Sequence, residues 1–214
     1  MEMLTVSCVL KTGGDFDVRY VRILRDAVIR NTSAVRFVCF SDTDVPCERI
    51  PLKHGYPGWW SKAEIFSETR PDYFPQLYLD LDTIVLRTID CVSTIQHDFA
   101  MLSIKDRGQH CGDSGVMWFR KPFPHVYERF AADPDRWMAE YAVSKGNKVF
   151  GDQGYISSQF EHIPKLHESL PGLFMSYKYD NLQDAVPRKP CAVVCFGGAH
   201  RPHNSPGWVK QAWV

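Results

Sequence analysis

The chain has 214 residues and no surplus of either charge, because 25 Lys and Arg balance 25 Asp and Glu. That balance argues against a nucleic-acid binder, which carries a basic surplus, and against a polybasic membrane-surface protein. No apolar run approaches the roughly 18 residues of a membrane span. The longest, Leu4 to Leu10, is interrupted by Thr5, Ser7 and Cys8, and its flank lacks the basic segment of a signal peptide. The seven cysteines contain no CxxC pair, and Cys8, Cys39 and Cys195 sit inside apolar runs as small hydrophobes. The expectation is a reduced, cytoplasmic compartment. There is no GxGxxG and no Walker sequence, so a phosphate loop of the NAD or ATP type is not supported. Internal repeats, low-complexity segments and linkers are also missing, which predicts one domain over 1–214, standing alone or cut from a larger protein. The 13% aromatic content excludes disorder.

What is present is a strand, helix, strand beginning. Leu4 to Leu10 is a short apolar run closed by Gly13-Gly14. Val21, Leu24 and Val28 recur at helical spacing between Asp17 and Arg30. Val35 to Phe40 reads as the next strand. One βαβ unit implies a parallel sheet, hence an α/β fold with a mostly parallel, mixed sheet flanked by helices. Further on, a short strand is expected at 48–50, strands at 99–104, 115–119 and 192–196, and helices at 60–67, 125–132, 136–143 and 152–160.

The unusual segment is Leu77-Tyr78-Leu79-Asp80-Leu81-Asp82-Thr83-Ile84-Val85-Leu86. Two aspartates sit in an apolar run that reads as a strand, where residues i and i+2 share a face. Two buried like charges are costly unless a cation joins them. Hard oxygen donors favour Mg²⁺, Mn²⁺ or Ca²⁺. The second copy of the pattern, Asp42-Thr43-Asp44, lies in a polar loop and reads as a solvated turn. Trp59 and Trp60 are adjacent, so both cannot face one core. One belongs to the core, and the other packs under the loop or stacks on a sugar or base. His110 reads as a surface loop residue within reach of an acceptor.

The 77–85 stretch resembles the DxD segment of GT-A glycosyltransferases, closest to the family-eight type of glycogenin and the lipopolysaccharide galactosyltransferases. Further stretches are similar in the same order. Trp60 to Phe66 resembles the helix that carries a Lys near the donor, here Lys62. Asp113-Ser114-Gly115-Val116-Met117 resembles the strand beside the donor sugar. Gly151-Asp152-Gln153-Gly154 resembles the pair that opens a helix near the anomeric carbon. Cys195 to His203 resembles the C-terminal HFxGxxKPW motif. The chain departs from the family where its metal-binding His falls on Cys195 and its Asn on Asp113.

The resemblance implies a metal-dependent transferase that moves a sugar from a nucleotide-sugar donor, usually UDP-linked, to a glycan or other hydroxyl acceptor. It implies Mn²⁺ (or Mg²⁺) on Asp80 and Asp82, with His200 or His203 as third ligand. It implies a donor site of Leu10, Lys11, Thr12, Lys62, Asp80, Gly198 and Arg201, with Gly197 beside it. Asp113, Asp152 and Gln153 are the implied catalytic set. Two other readings fit the residues less well. One is a HAD-type phosphatase, whose DxDxT strand Asp80-Leu81-Asp82-Thr83-Ile84 approaches but which places that strand first. The other is a non-catalytic nucleotide-sugar or glycan-binding domain.

Overall fold

The computed structural model describes residues 3–103, 112–143, 149–198, 200–205 and 207–214. The chain begins with β1 (Leu4–Leu10), α1 (Val18–Asn31), β2 (Val35–Ser41) and β3 (Glu48–Pro51). Asp17 caps α1, its carboxylate accepting from the Arg19 amide at 2.9 Å. Tyr20, Val21, Leu24, Ala27 and Val28 form the buried stripe of that helix. A 3-10 helix follows at Gly58–Ser67, then β4 (Gln76–Leu79), β5 (Ile84–Val85), β6 (Phe99–Ser103) and β7 (Gly112–Phe119). The remaining elements are α2 (Pro124–Ala132), α3 (Pro134–Glu140), α4 (Gly151–Ser158), α5 (Leu166–Ser169), β8 (Phe174–Ser176), β9 (Val193–Cys195) and α6 (Trp208–Ala212).

Six strands make one sheet in the order β3-β2-β1-β4-β7-β6. β3, β2, β1 and β4 run parallel, and β7 is antiparallel to both β4 and β6. A small second sheet, β5-β9-β8, lies apart from it. Strand alternation sorts the core into two layers. Leu77, Leu79, Val116 and Trp118 face a cluster with α1, the second sheet and α6. Tyr78, Met117 and Phe119 face another with the 3-10 helix, α2 and α4. This is the mixed, mostly parallel α/β arrangement that the sequence predicts. No described helix is long and apolar enough to cross a membrane.

The helix expected at 60–67 is present as a 3-10 helix over Gly58–Ser67. Trp60 to Phe66 are all buried, Lys62 and Glu64 among them. One local expectation needs correction, the strand around the aspartates. β4 stops at Leu79, and the Thr83 amide donates to the Asp80 carbonyl at 3.1 Å, closing a turn. The chain then changes sheets, and Ile84–Val85 pairs with β9. Asp80 and Asp82 are therefore brought together by a turn at the strand end, not by alternation along a strand.

Candidate active site

The C-terminal ends of β1, β2 and β4 lie at one edge of the sheet, the edge at which open α/β sheets bind ligands. Asp80 is the first residue beyond β4, and its amide donates to the Gly115 carbonyl at 2.8 Å. A β-bulge shapes the facing strand. Between Met101 and Leu102 of β6, the partner on β7 jumps from Met117 to Asp113. Ser114, Gly115 and Val116 are thereby freed from β6, and Ser114 reaches Lys62 and Asp152. A side chain at Gly115 would crowd the carboxylates, because its Cβ would stand 3.0 Å from Asp113 Oδ1 and 3.4 Å from Asp80 Oδ2.

Lys62 rises from the second core layer into the middle of these groups. Its ammonium lies 2.9 Å from Asp80 Oδ1 and 3.0 Å from Asp152 Oδ2. It also donates to the Ser114 hydroxyl at 3.1 Å, and that hydroxyl donates to Asp152 Oδ2 at 2.6 Å. The Tyr78 hydroxyl donates to Asp80 Oδ1 at 2.5 Å. Burial alone would lower the Lys62 pKa, but Asp152 and Asp80 outweigh it and hold the group protonated. Burial, then Asp80, pushes the Tyr78 phenol well above its ordinary value, so it stays a donor.

Arg201 approaches from the other layer. It lies 3.1 Å from Asp82 Oδ2 and 3.5 Å from Asp15 Oδ2, with its guanidinium over the Phe16 ring. Asp82 is 5% exposed. Burial, and next the charge of Asp80, raises its carboxyl to about 7 against the pull of Arg201 and Lys62. Asp113 is raised too, first by burial, while the Gly115 amide at 2.8 Å on its Oδ1 works the other way. Two buried polar atoms here lack a protein partner among the described residues, Thr83 Oγ1 and Arg201 Nε.

The expected residues fall as follows. Asp80, Asp152 and Lys62 form one hydrogen-bonded cluster, with Asp113 against it. Asp82 and Arg201 pair beside it. Leu10 ends β1, and Lys11 and Thr12 follow at the same edge. Gln153 lies in the first turn of α4 beside Asp152. Gly198 and Gly197 are exposed after β9, and Gly198 has φ +67°. His203 shares a hydrogen bond with the Tyr20 hydroxyl, and His200 sits 5.7 Å from the Tyr177 ring. Among the described residues, no group of three His, Cys, Asp or Glu side chains is arranged to hold a metal. Cys195 is a neutral thiol, pushed well up by burial and then by Asp113, Asp82 and Asp80. It is no ligand for a hard cation. His110 lies outside the described residues.

Asp42 stands in an exposed bend, as expected, but the sequence reading missed its partners: it accepts from Lys11 Nζ at 2.6 Å, the Thr12 amide at 2.9 Å and the Thr12 hydroxyl at 2.7 Å. Burial would raise its carboxyl, but these bonds win and hold it at about 2. The parallel register pairs Leu10 with Ser41, so Asp42 must stand beside Lys11. That signal was available once β1 and β2 were recognised as neighbours. Asp44, in contrast, is exposed and meets only Arg49 among the described ion pairs.

The placement of α4 depends on Gly154, whose added Cβ would lie 1.9 Å from the Val149 carbonyl oxygen. A backbone atom cannot swing aside. Gly154→Ala is expected to cost about 2–3 kcal/mol of stability in urea unfolding, and to lower activity by displacing Asp152. An unchanged midpoint would show that α4 does not pack so closely.

No protein-family model matches the chain, and no curated protein matches it. Solved structures do. The glycosyltransferase GlyE of Streptococcus pneumoniae TIGR4 aligns at TM-score 0.61 and 14% identity, over 100% of this chain and 59% of that one. Its apo form aligns at 0.58 and 14%, over 99% and 59%. The WbbM bifunctional glycosyltransferase in its apo structure aligns at 0.59 and 12%, over 99% and 51%. The chain thus shares the α/β fold of these glycosyltransferase structures and spans 59% or less of their length.

Proposed function

We propose that the chain is a glycosyltransferase that takes a sugar from a nucleotide-sugar donor, UDP-linked, and passes it to a hydroxyl of a glycan or similar acceptor. One observation carries this reading. At the edge of the sheet where β1, β2 and β4 end, Asp80, Asp82, Asp113 and Asp152 gather around Lys62 and Arg201, the two cations that meet them among the described residues. The surplus of negative charge fits a hard divalent cation, Mn²⁺ or Mg²⁺, on the oxygens of Asp80 and Asp82. Such ions are commonly held by one or two carboxylates, with substrate phosphates and water completing the shell. A third protein ligand is therefore not required. When bound, the cation would offset the charge that builds on the leaving diphosphate.

The chain's own residues supply the rest. Arg201 offers the unpartnered Nε and a planar fork suited to phosphate oxygens. The exposed amides of Gly197 and Gly198 allow close approach of the same group. Lys11 and Thr12, fixed by Asp42, form the wall for the nucleoside. Lys62 and Ser114 hold the Asp152 carboxylate in one orientation, where it can stabilise an electron-poor sugar carbon. Asp113, with its raised pKa, suits transient proton acceptance from the acceptor hydroxyl.

The test is release of UDP from a panel of UDP-sugars, with and without Mn²⁺. Metal-stimulated release that Asp80→Asn abolishes supports the reading. Hydrolysis of generic phosphate esters, with no UDP released from any sugar nucleotide, would sink it in favour of a phosphatase.

A further inference from the structure

The two cations that meet the carboxylates are held very differently. Lys62 is 6% exposed, and its ammonium is closed in by Asp80, Asp152 and the Ser114 hydroxyl. The Arg201 side chain is 21% exposed and stands on a fixed backbone. Its amide donates to Asn204 Oδ1 at 3.0 Å, and its carbonyl accepts from the Ser205 hydroxyl at 2.8 Å. The guanidinium is held more loosely than the backbone. One end donates to Asp82 Oδ2 at 3.1 Å and to the His200 carbonyl at 3.3 Å. The other end reaches Asp15, an exposed residue, at 3.5 Å. An exposed pair of that length contributes little. Nε has no partner among the described residues.

Among the described ion pairs Asp82 meets Arg201 alone, and its side chain is 7% exposed. A carboxylate so buried is costly to leave without a cation. The same contact stands in the way of a divalent ion, because two cations on one buried carboxylate repel each other where the dielectric is low. A diphosphate resolves the conflict. It offers the planar fork several anionic oxygens, and it gives the buried Nε the acceptor that it lacks. We propose that Arg201 is an exchangeable counterion, which holds Asp82 in the donor-free chain and crosses to the diphosphate when a divalent cation takes its place. Metal and diphosphate then bind as a unit, since both need the same single displacement. Lys62, closed in on three sides, keeps its place throughout and holds Asp80 and Asp152. The inference rests on the transferase reading given above and concerns how its donor site fills.

The experiment measures the affinity of Mn²⁺ alone, and of UDP with and without Mn²⁺, for the parent, Arg201→Met and Arg201→Lys. Calorimetry serves for the metal and for UDP with the metal. UDP without metal is read from NMR shifts of the Lys11 and Thr12 amides, which detect millimolar affinities. In Arg201→Met, Mn²⁺ alone should bind about tenfold tighter, because no ion pair has to be displaced. Arg201→Lys keeps the charge and should stay near the parent. The ratio of UDP affinities with and without Mn²⁺ measures the coupling between the two ligands. In Arg201→Met that ratio should fall by the same factor, about tenfold, because the shared displacement is gone. A crystal structure with UDP and Mn²⁺ should show the guanidinium off Asp82 and on a phosphate oxygen. Unchanged affinity for Mn²⁺ alone in Arg201→Met overturns the exchange. So does tighter metal binding with an unchanged UDP ratio, the mark of a guanidinium that repels the metal but stays in place. A guanidinium still on Asp82 in the crystal complex has the same meaning. In each of these cases UDP binding by the parent leaves the transferase reading standing. If the parent binds UDP under no condition, that reading fails, and the exchange with it.

Discussion

Lys62→Met should lower stability by about 2–4 kcal/mol, because it leaves the buried Asp152 and the half-buried Asp80 facing each other without their shared cation. The methionine fills the lysine's stem volume, so the loss reports charge rather than packing. The proposed sugar transfer should fall by about 10²–10³-fold, since Asp80 and Asp152 lose the group that orients both. The two effects can be separated. Adding Asp152→Asn to Lys62→Met removes one of the stranded charges. It should recover part of the stability and none of the transfer. Chemical unfolding of the single and double variants measures this directly. A single variant within about 0.5 kcal/mol of the parent would show that the lysine is not the keystone of the cluster.

Asp82→Asn should do the opposite to stability while still abolishing function. The Asp82 carboxyl titrates at about 7 in the folded chain, raised by burial and by Asp80 from an ordinary 3.8. Between those values the folded state holds a proton that the unfolded state has released. Stability from this group is therefore fully present below about pH 4 and is lost as pH rises through about 7. The asparagine variant carries no such penalty. At pH 8 it should melt several degrees above the parent, and at pH 4 the two should converge. Mn²⁺ should raise the melting temperature of the parent at pH 8 and leave the variant unmoved. A residue kept against its own stability cost is one that function retains. Equal melting temperatures at pH 8 would mean that the carboxylate is compensated in some other way.

The βαβ opening was legible in the sequence because period and punctuation agree there. Leu4 to Leu10 ends on Gly13-Gly14, and α1 carries its stripe from Asp17 onward. The DxD turn was not legible as a turn. Leu77, Leu79, Leu81, Ile84 and Val85 are all buried, so the apolar run hides the point where the chain leaves one sheet and joins another. β8 and the second sheet escaped notice for a related reason. Phe174–Ser176 is three residues long, and its partner β9 is far away in sequence. The pairing of adjacent indoles was legible in outline, with one in the core and one out. The structure adds that the outer indole, Trp59, lies against Gly151 and Phe150 at the start of α4.

The site divides in the same way. Asp80 and Asp82 announce themselves by their surroundings, since carboxylates inside an apolar run need an explanation. Lys62, Asp113, Asp152 and Arg201 have no local signal of that strength, and only the ordered resemblance singles them out. Their meeting depends on contacts between distant elements: a 3-10 helix, a bulge in β7, the first turn of α4 and the segment after β9. Asp42 and Tyr78 follow from register and from the hydroxyl that reaches Asp80, and neither carries a motif of its own.

The most direct measurement is calorimetric titration of UDP into the chain at pH 8, with and without Mn²⁺, for the parent and for Asp82→Asn. The account predicts saturable binding by the parent that requires Mn²⁺, and none by the variant. Binding of equal strength in both proteins would place the nucleotide away from the Asp80–Asp82 turn. No binding of UDP by the parent, with or without the metal, would contradict the account at its centre.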